Sequence, residues 1–149
     1  MGVLVTPLTA YVDQRGSLLE LVRTDALPGG HTPAMATISW THPGIVRGPH
    51  EHRDQADLFA FVGPTRFRLT LWDNRPDSGT CGNILTLDLG GDAPASVLVP
   101  PGVVHAYQNL GEVPGFVLNF PDQLYRGPQK QQPVDEIRHE NDPDSPFRP

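Results

Sequence analysis

GIVRGPHEHRDQADLFAFVG (residues 44–63) and PPGVVHAYQN (residues 100–109) are the two stretches whose reading decides the fold. In an extended strand alternate side chains share a face, so His50 and His52 point the same way, and a barrel can bring His105 opposite them. Half of the chain's 6 histidines stand in these stretches, together with the carboxylate of Asp57. Three imidazoles and a carboxylate suit a first-row divalent transition metal, Zn, Fe, Mn or Ni, with positions left open for substrate or water. His31, His42 and His139 lack such companions and are expected to be ordinary hydrogen-bonded side chains.

Outside these stretches the chain is cut too often for helices. Its 149 residues include 17 prolines and 15 glycines, about a fifth of the total. A helix interior tolerates proline poorly, and the two longest proline-free windows hold further turn residues or strand patterning. What remains is short strands: Ser17 to Arg23, Ala34 to Thr41, Leu58 to Val62, Phe67 to Trp72, Ile84 to Leu89, Ser96 to Val99, Ala106 to Asn109 and Phe116 to Phe120. Turn chemistry separates them, as in DNRPDSG, GGDAP and PPG. Phe67, Leu69 and Leu71 alternate with Arg66, Arg68 and Thr70, the period-two pattern of a strand with one face inside and one outside. The expectation is an all-β jelly-roll barrel forming a single domain, with its core over about 13–125. Residues 126–149 are polar and proline-rich and are expected as an irregular tail wrapping the barrel or a partner subunit.

Charge and composition exclude several functions. Eleven basic against 17 acidic side chains give a formal charge of −6, and Lys130 is the only lysine, so nucleic acid is not an expected partner. The single cysteine, Cys81, cannot close an internal disulfide, and the sequence holds neither a signal-like hydrophobic core after Met1 nor a membrane-length apolar run. A cytoplasmic protein is expected, without membrane partners.

The two stretches resemble the paired motifs of the cupins, whose fold is a double-stranded β-helix. Gly44, His50, His52, Asp57 and Gly63 fall on the first motif, with Asp in place of its usual Glu. Pro100, Gly102, His105 and Asn109 meet the second in full. Over about residues 13–143 the chain further resembles the dTDP-4-dehydrorhamnose 3,5-epimerase family of cupins. DQRGSLLE (13–20), IVRGPH (45–50), VPPGVVHAY (99–107) and ENDP (140–143) carry that likeness, in the family's order.

The resemblance implies an isomerase acting next to the carbonyl of a 4-keto-6-deoxyhexose nucleotide, a homodimer, and no required cofactor. It makes His50 the general base and Asp142 its paired carboxylate. Arg47 and Arg15 become the holders of the nucleotide diphosphate, Arg15 reaching across a dimer interface. Tyr107 or Tyr125 would return a proton to the other face, with His105 and Asn119 beside the substrate. Two family residues are replaced: Asp57 stands near the place of a lysine that stabilises the enolate, and Asn119 near that of a catalytic tyrosine. A metal, or Arg68, would then have to stabilise the enolate oxygen. Two other readings are a metal-dependent cupin enzyme using His50, His52, Asp57 and His105 as ligands, and a sugar-binding cupin without catalysis.

Overall fold

A computed structural model describes all 149 residues. Twelve strands run in order: β1 (Leu4–Pro7), β2 (Ala10–Asp13), β3 (Gly16–Leu19), β4 (Thr37–Thr41), β5 (Val46–Glu51), β6 (Asp57–Gly63), β7 (Arg66–Asp73), β8 (Ile84–Gly90), β9 (Ala95–Val99), β10 (Val103–Asn109), β11 (Gly115–Asn119) and β12 (Ile137–Arg138). The only helices are three-residue 3₁₀ turns. One five-stranded antiparallel sheet has the order β1-β9-β6-β11-β4 and the other β12-β5-β10-β7-β8, while β2 and β3 form a separate hairpin. Two such sheets face to face make the expected jelly-roll.

Alternation along the strands builds the core. In β7, Phe67, Leu69 and Leu71 are fully buried, and they meet Phe59, Phe61, Val97, Val99, Val103, Tyr107 and Val117 from four other strands. A smaller apolar cluster, Trp72, Val104 and Ala106, lies against Val46 and Phe147. Phe147 belongs to the C-terminal tail, which therefore packs on its own barrel. The DNRPDSG hairpin is plain turn chemistry: the buried Asp73 carboxylate accepts from the side chains of Arg75, Ser78 and Thr80 at 2.5–2.9 Å.

Several strand boundaries differ from the expectation. β1, β2 and the two-residue β12 carry no alternating pattern long enough to read, and the segment expected from Ser17 to Arg23 ends at Leu19. β5 carries the HxH motif but is interrupted by Gly48 and Pro49. Its register with β10 explains this: His105 pairs with His50, and Tyr107 with Arg47, so two residues of β5 face one of β10. That bulge needs a glycine, because Gly48 has φ of +87° and an added Cβ would fall 2.5 Å from the His105 carbonyl oxygen.

The tail is irregular yet held at defined points. Ile137 pairs with Glu51 and Arg138 with His50, so β12 extends the second sheet beside the HxH strand. Asp135 caps the loop before β6: its carboxylate accepts the backbone N–H groups of Arg53, Asp54 and Gln55, each at 3.0 Å. The buried Glu51 carboxylate holds the next turn through His139 Nε2 at 2.9 Å.

Candidate functional site

β5, β6 and the loop between them place His50, His52 and Asp57 at the floor of a cavity of about 1140 Å³, and β10 sets the buried His105 directly against them. His50, on β5, and His52, one residue past its end, both line the cavity, and the β5–β10 register sets His50 opposite His105. The His50 and His105 rings have centroids 4.4 Å apart, and His52 is 5.9 Å from each. One nitrogen from each imidazole lies within 4.8 Å of the others. Asp57, on the neighbouring β6, puts Oδ2 3.1 Å from His52 Nε2 and 3.5 Å from His105 Nε2.

Each of these groups has a different partner set. His52 Nδ1 meets the Asp135 carbonyl oxygen and its Nε2 meets Asp57, so two acceptors face its two nitrogens. Burial is the largest influence on His52 and opposes its charge, but the hydrogen bond and charge of Asp57, the Asp135 carbonyl and Glu136 together outweigh it and raise the pKa to about 9. The same pairing, helped by His105 and by the Asn119 amide donating at 2.9 Å, overcomes the burial of Asp57 and lowers its pKa to about 2. His50 goes the other way: burial first, then His105 and His52, lower its pKa to about 2, leaving a neutral imidazole. Burial likewise lowers that of His105, whose Nδ1 lies 3.2 Å from the Val103 carbonyl. His105 Nε2 is buried with no hydrogen-bond partner.

The structure moves the carboxylate beside His50. Asp142 is exposed and outside the cavity lining, and its carboxylate accepts only the N–H of Asp144. Glu136 stands there instead, its Oε1 3.9 Å from His50 Nδ1 and its Oε2 2.7 Å from Arg138 Nε. Nothing in the sequence marks it, since β12 alone brings residue 136 to residue 50. Arg68 is also displaced. The alternation that sends Phe67 and Leu69 inward turns Arg68 outward, to Asp88 at 2.8 Å.

Arg47 lines the cavity, donating to Thr41 Oγ1 at 2.9 Å and to the Trp40 carbonyl at 2.6 Å. Tyr107 is buried against Phe59, Phe61 and Phe67 with its hydroxyl 2.7 Å from Ser39 Oγ, and burial raises its pKa. Tyr125 lines the same cavity and is about half exposed. Arg15 does not line it: it lies on the exposed β2–β3 hairpin, paired with Asp13. His31 bonds the Phe120 carbonyl at 2.7 Å, an ordinary structural histidine as expected.

The profile of the polysaccharide biosynthesis C-terminal domain family matches residues 11–132. The spore coat polysaccharide biosynthesis protein SpsL of Bacillus subtilis is 37% identical over 129 residues, covering 86% of this chain and 83% of that protein. The probable low-salt glycan biosynthesis epimerase Agl13 of Haloferax volcanii is 33% identical over 122 residues, covering 81% and 78%. A dTDP sugar isomerase from Desulfovibrio desulfuricans G20 has the same fold with a TM-score of 0.84 and 25% identity, over 99% of this chain and 90% of that one. That fold is the cupin jelly-roll of the dTDP-4-dehydrorhamnose 3,5-epimerases.

Proposed function

The chain belongs to the polysaccharide biosynthesis C-terminal domain family, and on that premise we propose that it is a nucleotide-sugar epimerase or isomerase of carbohydrate biosynthesis. Its substrate would be a 4-keto-6-deoxyhexose nucleotide. The observation that carries this reading is the His50 imidazole in the lining of a large cavity, with Glu136 Oε1 3.9 Å from its Nδ1. His50 takes the proton from the carbon next to the carbonyl, and Glu136 stabilises the imidazolium that results. The enolate oxygen needs positive charge, and His52, kept protonated by Asp57, supplies it where the epimerases use a lysine. Tyr107 or Tyr125 gives a proton to the opposite face of the carbon and is reprotonated from solvent as His50 releases its own. Solvent-deuterium exchange into a dTDP-4-keto-6-deoxy sugar tests this: His50→Ala should lower it by about 10²–10⁴-fold. Exchange that continues unchanged in that variant overturns the mechanism.

A second reading has its own observation, the unpartnered buried Nε2 of His105 within 4.8 Å of nitrogens from His50 and His52. These donors fit a divalent transition metal, with Asp57 as the carboxylate, and the ion would supply a Lewis acid for the enolate oxygen. Metal analysis decides between the readings. His52→Ala and Asp57→Ala should lose bound metal and activity together if the metal is required, and purified protein with activity but no metal rules it out.

Two further parts of the proposal concern assembly and compartment. The β2–β3 hairpin exposes Tyr11, Val12 and Leu18, and β4 exposes Ile38 and Trp40, surfaces suited to a second copy of the chain that would bring Arg15 to a neighbouring site. Light scattering at micromolar concentration should give a dimer, and a monomer removes Arg15 from the site. No helix is long and apolar enough to cross a membrane. The lone exposed thiol of Cys81 suits a reducing cytoplasm.

A further inference from the structure

The chain's cations divide sharply by whether a carboxylate holds them. Arg15, Arg23, Arg66, Arg68, Arg75 and Arg138 each pair with an Asp or Glu. No ion pair involves Arg47, Arg53, Arg126, Lys130 or Arg148, and of these five, Arg47, Arg126 and Lys130 line the cavity above His50. In a chain of net charge −6, three unpaired cations around one cavity, Arg47 on the barrel and the exposed Arg126 and Lys130 on the tail loop, are not the general surface chemistry.

The more buried carboxylates of that cavity are already matched. Asp57 is paired with His52, Glu136 with Arg138, and Asp135 with three backbone N–H groups. Asp54 and Glu140 also line it but are exposed. The segment carrying two of the free cations is built to present them. Backbone bonds from Gly127 to Leu124, from Lys130 to Gly127 and from Gln132 to Arg126, at 2.8–3.1 Å, close residues 124–132 into a tight loop without using the charged groups. The Arg126 guanidinium makes one contact, a long 3.5 Å to the Gln132 carbonyl. Arg126, Gln129 and Lys130, at φ of +60°, +52° and +60°, are also the only non-glycine residues of the chain with left-handed backbone. Side chains other than glycine adopt that region at a cost, and such positions concentrate at binding and catalytic sites.

We infer that Arg126 and Lys130 supply a further clamp on the diphosphate of a nucleoside diphosphate sugar, across the cavity from Arg47, whose diphosphate role the family resemblance already implies. The inference rests on the nucleotide-sugar reading for the identity of the ligand and adds where its charged half is held. A diphosphate offers enough oxygens to satisfy a planar guanidinium bidentately and an ammonium as a point charge. The loop thereby provides a phosphate site within one chain, independent of Arg15 from a partner.

Calorimetric titration of the full-length protein with dTDP, inorganic pyrophosphate and thymidine tests this, on wild type, Arg126→Ala, Lys130→Ala, the double variant and Arg148→Ala. Wild type should bind dTDP and pyrophosphate, more weakly as salt rises. Each single variant should weaken both by about tenfold and the double variant by more, with thymidine binding and the melting temperature unchanged. Arg148→Ala, an unpaired cation outside the cavity, should match wild type. Affinities for dTDP within twofold of wild type in the double variant, or equal losses in Arg148→Ala, overturn the clamp. Deuterium exchange is measured in parallel so that the two ideas fail separately. Wild type that binds dTDP through these residues but exchanges no deuterium defeats the epimerase reading alone. Exchange with unaltered dTDP binding in the double variant defeats the clamp alone.

Discussion

The floor of the cavity and its tail wall are built by opposite means. His50 and His105 sit on strands bonded in register to each other, with β10 also bonded to β7 along its whole length. Glu136, Arg126 and Lys130 arrive instead on a segment fixed by a two-residue strand and the capping carboxylate of Asp135. The floor's geometry is thus inherited from the paired strands, whereas the wall is held by fewer backbone bonds. On the proposed reading the base, His50, rests on the paired strands, and the charges proposed to hold substrate rest on the tail.

The largest expected effect breaks the floor. Gly48→Ala puts a Cβ 2.5 Å from the His105 carbonyl oxygen at a φ of +87°, so the β5–β10 register must move. We expect a loss of about 3 kcal/mol or more in denaturant unfolding, with activity lost alongside. A variant as stable as wild type would mean that the floor is as adjustable as the wall. Asp135→Ala attacks the wall by releasing three backbone N–H groups that water can partly satisfy. It should cost about 1–2 kcal/mol in the same measurement and lower exchange activity more than it lowers stability. Equal damage to both would show the wall to be part of the cooperative barrel.

Glu136→Gln keeps the shape of the wall and removes one charge. If Glu136 supports the His50 imidazolium, kcat should fall about tenfold with little change in KM and in melting temperature. A change in KM alone would reassign it to substrate binding. A separate effect is in the pH dependence of stability, and the floor should produce it. His50, with its folded pKa about 2 against 6.5 unfolded, opposes folding below about pH 6.5, so stability falls as pH drops from there. His52 works in the opposite sense: its contribution is complete below about pH 6.5 and is lost as pH rises through about 9. His50→Asn should flatten the acid limb of a melting-temperature profile and leave the alkaline limb, a pattern that Glu136→Gln should not reproduce.

Local chemistry made the floor legible in the sequence. The HxH spacing, the PxGxxHxxxN stretch and the alternation around Phe67 each express a rule acting over a few residues: side chains two apart share a face of a strand, and Gly or Pro ends it. These rules gave the all-β class and the shared face of His50 and His52, while grouping them with Asp57 and His105 rested on the resemblance to the cupin motifs. Arg68 shows a rule that was readable but not followed through, since the same alternation that buries Leu69 must turn Arg68 to solvent. The bulge at Gly48 was not legible, because a bulge is a relation between two strands and only one of them is local.

The amino-acid sequence by itself determined the all-β class, since strand periodicity and turn residues act locally, and the motif resemblance grouped three histidines with a carboxylate that reaches them from the facing sheet. The tertiary structure alone decided that Glu136 rather than Asp142 faces His50, that His52 is held as a cation while His50 is kept neutral, and that Arg126 and Lys130 border the cavity. Those outcomes depend on contacts between residues some eighty positions apart and on burial, which follow from how the tail closes over the barrel and have no signature in spacing.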